Sequence, residues 1–388
     1  MTFESMGPAE FGVSPTNGFL PDRDPLHRLP SSFDVWEDLA LDLPKKLMSD
    51  RFRQLVEALP PFPIEALGNE QEVERAMVLL SYVGHAYVWC ESTPAQRLPA
   101  VLAVPWHAVA ERVGRPPVLS YASYCLHNWK RIDPARGLEV GNIALLQNFL
   151  AGQDEEWFVL IHVDIEAKAA PAMAVLLEAQ RQASEGDIEG LERQLETIAA
   201  TLQGMNETMD RMPEKCDPYI YFHRVRPYIH GWRNHPDLPE GVVYEGVPEY
   251  GGKPQTFRGE TGAQSGIVPA LDAFLGVDHA PDELRSYLSE MRLYMPPGHR
   301  RFVEELEQGS SVRDFVQGHS GPVKDLYDLC VRGLDRFRTT HLEYAARYIY
   351  MQAQTDPKNP HAVGTGGTPF MPYLKKHRDE TRHSVLGK

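Results

Sequence analysis

Of the fifteen histidines in the chain, His341 has the neighbours that point most directly to chemistry. Leu334, Phe337, His341, Ala345 and Tyr348 recur at steps of three and four, so an imidazole interrupts one apolar face of a helix. A buried imidazole needs a partner, and two kinds are open. One is a backbone group that hydrogen-bonds a core histidine; the other is a haem iron, to which a rigid helix would present a neutral nitrogen in dry surroundings. Arg338 lies three residues earlier, about 60° around the same helix, where it would either pair with a haem propionate or stand in solvent as a surface cation. The sequence offers no paired acid and base, no nucleophile triad and no cluster with metal-ligand spacing. Gly364-Thr365-Gly366-Gly367-Thr368 has the composition of a phosphate cradle, but it lacks both a preceding strand and the G-x-x-x-x-G-K-[ST] spacing, so that reading is rejected.

The elements that must position these residues are almost all helical. Apolar periodicity predicts helices over 70–90, 98–113, 120–129, 141–150, 155–183, 188–209 and 219–230, then 263–275, 281–294, 299–308 and 323–354. The most regular stripe, Ile188, Leu191, Leu195, Ile198, Leu202, Met205 and Met209, is read as core packing and assigned no chemistry. Residues 1–65 are rich in proline and turn formers and read as an arm leading into short helices. Strand patterns are scarce, so the predicted fold class is all-α. The Pro116-Pro117 pair marks the expected boundary between a small N-terminal domain (1–115) and a large helical haem- and substrate-binding domain (116–388).

A formal charge of −15 opposes binding to nucleic acid or to anionic membranes, and no basic run longer than Lys375–Arg378 offsets it. Four widely spaced cysteines without a C-x-x-C pair read as free thiols in a reducing compartment. The N-terminus lacks the basic and apolar segments of a signal peptide, and no apolar run approaches membrane-spanning length, so the expected location is the cytoplasm.

Collinear segments along nearly the whole chain resemble one family. They are Gly12-Val-Ser-Pro-Thr-Asn-Gly-Phe-Leu-Pro, Pro117-Val-Leu-Ser-Tyr-Ala, Asn128-Trp-Lys, Gly231-Trp, Val243-Tyr-Glu-Gly, Met291-Arg-Leu-Tyr-Met-Pro-Pro-Gly-His-Arg and Gly364-Thr-Gly-Gly-Thr. With Phe337-Arg-Thr-Thr-His341-Leu-Glu-Tyr-Ala-Ala-Arg-Tyr-Ile, they are similar to the indoleamine 2,3-dioxygenases. The resemblance implies haem b with His341 as proximal ligand, O2 and L-tryptophan or a related indole as substrates, and N-formylkynurenine as product. It also implies an electron donor that keeps the iron ferrous. Haem and O2 then carry the difficult chemistry, and the protein binds and orients.

The same resemblance implies roles for further residues. Arg226 would hold the substrate carboxylate, as a guanidinium fork can do bidentately. Phe222 matches an aromatic beside the haem, whereas Tyr221 stands where a phenylalanine usually covers the substrate. Tyr121 matches a pocket tyrosine. Tyr124 and Cys125 fall at lining positions where smaller or different residues are usual. Gly262 belongs to a segment of small residues that approaches haem and substrate closely, and Glu260 departs from that segment's usual composition. Thr365 would contact substrate from a closing loop. Leu160 is expected above the iron, where relatives carry a small hydroxyl residue. His162, about 200° around the helix, is expected to face away; a shifted register would make it a distal histidine like that of tryptophan 2,3-dioxygenases. Two rival functions remain: another indole oxidation on the same haem site, and O2 binding without turnover. The retained Arg226 disfavours the second.

Overall fold

The longest apolar stripes form a helical hairpin. Gln153–Glu185 ends at Gly186, whose φ of 76° turns the chain, and Asp187 caps Ile188–Met209 by accepting from the Gly190 amide at 2.9 Å. The structure, a computed structural model, describes residues 7–279, 283–355, 365 and 370–387. Helix Pro322–Ala345 packs against Ile188–Met209, where Gly333 allows a close approach: a Cβ on it would lie 3.0 Å from that of Leu202. Met371–His383 covers the other side of that helix. Ile267–Leu275 and Pro297–Gln308 close the group against Gln153–Glu185.

On the N-terminal side, Glu70–Trp89 is buried along nearly its whole length, with Asn69 as its N-cap. Ala100–Val113 lies on it, and Gly84 sits so close to the Trp106 ring that a Cβ would reach within 2.2 Å of it. This pair is joined to the rest through His85 and Trp89. His85 Nδ1 donates to the Tyr228 carbonyl (2.8 Å) and its Nε2 accepts from the Leu119 amide (2.9 Å), while the Trp89 indole donates to the His230 carbonyl (3.0 Å).

The fold is all-α with two small sheets, and three expectations are corrected. Residues 120–129 and 141–150 are not helices: a π turn at Ala122–Leu126 leads into an antiparallel pair, Trp129–Arg131 with Ile143–Leu145. Asn128 explains the choice, because its side chain accepts from the Gln147 amide (2.8 Å) and donates to the Gln147 carbonyl (2.9 Å), doing for Gln147 what a strand partner would. The predicted helix over 219–230 is a bent succession of Pro218–Ile220, a π turn Tyr221–Val225 and a 3-10 turn Arg226–Ile229; Pro227, which has no N–H, prevents a regular helix. The predicted 323–354 helix is broken by a π turn at Ala346–Tyr350, directly after His341's last helical turn. Among the described residues, no helix is long and apolar enough to cross a membrane.

Candidate active site

His341 lies near the C-terminal end of helix Pro322–Ala345. The residue is exposed, yet protein surrounds its ring closely enough to push its pKa down to about 4, through burial first and then the fields of His162 and Arg338. The two facts agree if the ring faces a recess inside the molecule. Among the described residues no hydrogen bond reaches either ring nitrogen. A neutral imidazole fixed on a helix, with no partner and an accessible face, fits an axial ligand to iron.

Arg338 sets that helix in place. Its guanidinium makes a two-pronged ion pair with Asp272 (2.8 and 2.5 Å) and donates to the Thr381 hydroxyl, so it ties three helices together. The side chain is buried in making these bonds, so it is not the surface cation that was the alternative to a propionate partner. Asp272 is further bridged by His279 Nε2 at 3.1 Å, and His279 Nδ1 lies 2.6 Å from Glu380. The ligand atoms of His279, His377 and Glu380 lie within 4.8 Å of one another, a spacing suited to a metal ion, but both His279 nitrogens are engaged in this network and Arg338 stands beside it.

Opposite His341 comes helix Gln153–Glu185, and here the expected facing is corrected. His162, not Leu160, is turned toward the recess: its field reaches His341, and its ring lies 4.6 Å from Phe158 and 6.1 Å from Tyr121, edge-on. Leu160 is a buried core residue of the same helix. A carbonyl can only accept, so the 2.7 Å contact between His162 Nδ1 and the Phe158 carbonyl puts the proton on Nδ1. Burial lowers the ring's pKa, and Nε2 is left as a proton acceptor.

Tyr121 enters the π turn at 122–126. Its hydroxyl donates to Glu166 Oε1 (2.9 Å), as does that of Ser265 (2.7 Å), and its amide donates to Gln264 (2.8 Å). Burial raises the Glu166 carboxyl to about 7 in spite of those two donors. Tyr124 and Cys125 are fully buried, and the Tyr124 hydroxyl has no hydrogen-bond partner among the described residues. The Tyr124 ring runs beside Tyr82 and 6.4 Å from Phe158.

The bent 218–229 segment supplies the third wall. Tyr221 stacks 4.5 Å from Phe158 and meets Tyr348 edge-on at 6.0 Å. Arg226, 1% exposed, lies over the Phe222 ring at 5.4 Å and donates to His230 Nε2 at 3.0 Å. Burial brings its pKa down to about 10 and holds His230 neutral. Beside it, the chain crosses itself at two glycines: a Cβ on Gly231 would fall 2.1 Å from the Gly259 amide, so only glycine fits. Gly262, in contrast, has no protein atom within 4 Å of an added Cβ. The crossing sets Glu260, whose amide donates to the Ile229 carbonyl (3.2 Å) and whose carbonyl accepts from the Thr365 hydroxyl. The other residues of the Gly364–Thr368 turn lie outside the described residues.

The structure therefore brings His341, His162, Tyr121, Tyr124, Cys125, Tyr221, Phe222, Arg226 and Glu260 into one neighbourhood. Phe158, Glu166 and His230 belong to it and were not singled out from sequence. For Glu166 the available signal was its place four residues after His162, on the same face of the helix.

The comparisons bear on what this neighbourhood does. A family model described as Indoleamine 2,3-dioxygenase matches residues 7–384. "Indoleamine 2,3-dioxygenase 1" of Rattus norvegicus is 36% identical over 97% of this chain and 95% of its own length. "Indoleamine 2,3-dioxygenase" of Saccharomyces cerevisiae is 32% identical over 96% and 92%, and "Indoleamine 2,3-dioxygenase acdA" of Aspergillus candidus 34% over 96% and 95%. With matches that span both the helix carrying His341 and the walls that face it, the chain belongs to the indoleamine 2,3-dioxygenase family and is an oxidoreductase of that haem-dependent type.

Proposed function

We propose that this enzyme binds haem b through His341 and uses O2 to open the indole ring of tryptophan, giving N-formylkynurenine. The observation that carries the reading is the unpartnered, accessible imidazole of His341 facing a recess that a buried arginine and an aromatic slot also border. When bound, haem supplies O2 binding and activation toward the indole C2–C3 double bond. The chain's own residues bind and orient. Arg226 takes the substrate carboxylate, a charge-assisted contact strengthened by its burial. Phe158 and Tyr221 flank the ring, and the aromatic walls keep water out. His162 Nε2, a proton acceptor in its fixed tautomer, is suited to hold the indole N–H. Tyr121 is fixed through Glu166 and lines the slot. An electron donor keeps the iron ferrous between cycles. A second reading, oxidation of another indole on the same machinery, is favoured by Glu260, an acid among the slot's groups where unsubstituted indole offers nothing to bond. The test is to reduce the haem-loaded protein anaerobically, add L-tryptophan and O2, and look by mass spectrometry for a product heavier by two oxygen atoms. A tryptophan recovered unchanged would overturn the tryptophan reading.

A further inference from the structure

Glu260 is the least expected group in the neighbourhood. It is 3% exposed, and among the described residues its carboxyl makes no hydrogen bond and no ion pair. The carboxyl is nonetheless not sealed in the packing, because its oxygens are absent from the buried atoms that lack partners; they therefore border accessible space. Its backbone is held on both sides, by the Ile229 carbonyl and by Thr365, so its position is set by the chain crossing at Gly231 and Gly259.

The segment that carries the carboxyl is tied to the Tyr121 wall: the Gln264 side chain accepts from the Tyr121 amide (2.8 Å) and donates to the Gly259 carbonyl (2.9 Å). The carboxyl lies near enough to Tyr121, Tyr124, Cys125 and Tyr82 to raise their pKa values. It does not register on Arg226, nor Arg226 on it; Tyr221 feels both. Tyr221 thus stands between a cationic end at Arg226 and an acidic inner end at Glu260. The α-ammonium of an amino acid bound through its carboxylate stays beside Arg226, since one carbon separates the two groups. What extends past Tyr221 to Glu260 is the ring.

We propose that Glu260 makes the inner end of the slot a receptor for a hydrogen-bond donor carried on the substrate's ring, so that the preferred substrate is a hydroxy- or amino-substituted indole amino acid. The inference rests on the reading that Arg226 takes the carboxylate. An unpaired buried carboxyl is costly to keep, and burial alone raises this one to about 8. Protonated or ionised, it still offers an acceptor oxygen, and a ring O–H or N–H there replaces water that the unsubstituted ring displaces without compensation.

The experiment measures binding to the haem-loaded protein by titration calorimetry, without turnover, for tryptophan and its 4-, 5-, 6- and 7-hydroxy isomers. We expect at least one isomer to bind about tenfold or more tightly than tryptophan, the usual worth of a hydrogen bond to a charged or strongly polarised group. That preference should shrink in Glu260→Gln, which keeps an acceptor, and vanish in Glu260→Leu. If no isomer is preferred, or if the preference survives Glu260→Leu, the proposal is wrong. An α-ammonium role for Glu260 would show instead as equal losses for tryptophan and every isomer, with indole-3-propionate spared, and would equally overturn it. Preference without any oxygenated product would take down the dioxygenase reading and leave this one standing; retained preference in Arg226→Leu would separate it from the carboxylate assignment.

Discussion

Two buried ionisable groups beneath the N-terminal helices, Glu37 and His85, and two in the candidate site, Glu260 and His341, are treated in opposite ways. In the first region Arg75 grips Glu37 with two bonds (3.0 and 2.6 Å) while Glu37 also accepts from the Leu29 amide, and both nitrogens of His85 are bonded. In the second, His341 and the Glu260 carboxyl have no partner among the described residues and border accessible space. Satisfied buried groups hold elements together; unsatisfied ones that border accessible space mark where another molecule supplies the missing bond.

Substitutions can break or sharpen this contrast. The largest effect is expected for His341→Ala, which should abolish histidyl ligation of haem while leaving the melting temperature of the haem-free protein nearly unchanged, because the ring bonds nothing there; a retained five-coordinate histidyl spectrum would refute the assignment. Arg75→Leu should do the reverse. It leaves Glu37 as an uncompensated buried charge, so denaturant unfolding should report a loss of about 3–5 kcal/mol, and haem binding per folded molecule should persist.

His162→Ala comes next. With Nε2 as an acceptor facing the site, turnover at matched haem loading should fall about a hundredfold, the lower end of what a positioned proton acceptor contributes. A loss under about tenfold would return His162 to a packing role. Arg226→Leu should weaken tryptophan binding by about ten- to a hundredfold and leave tryptamine, which has no carboxylate, much less affected. Equal effects on both ligands would remove the arginine from carboxylate recognition. The smallest change is expected for Tyr124→Phe: deleting a hydroxyl that has no partner should shift stability by no more than about 1 kcal/mol, and in the stabilising direction. A larger loss would show that the hydroxyl is bonded in the folded protein.

Much of this architecture was legible along the chain. The stripe Ile188–Met209 is a helix with those bounds, and the position of His341 on an interrupted apolar face follows from steps of three and four. Short segments were misread where two periods fit equally well. Residues 120–129 and 141–150 carry apolar residues compatible with a helix, and the decision for strands lay in a side chain, Asn128, bonding a residue 19 positions away. The facing of His162 was lost for a related reason. A shift of two residues turns a helix by about 200°, so family resemblance over a few residues left open whether Leu160 or His162 looks inward. Packing against Phe158 and Tyr121 decided it.

What the sequence determined by itself is most of the long helices, the one imidazole on an apolar face and the family, because each is a matter of residue type and spacing along the chain. Which buried groups are bonded and which are left open was decided only in the tertiary structure. Arg338 is closed by Asp272 from a distant helix, whereas Glu260 is left open because the glycine crossing holds its backbone beside Ile229 and no donor among the described residues reaches its carboxyl. Hydrogen bonds act only over about 3 Å, so partnership depends on how distant segments meet in space, and that is not encoded in local periodicity.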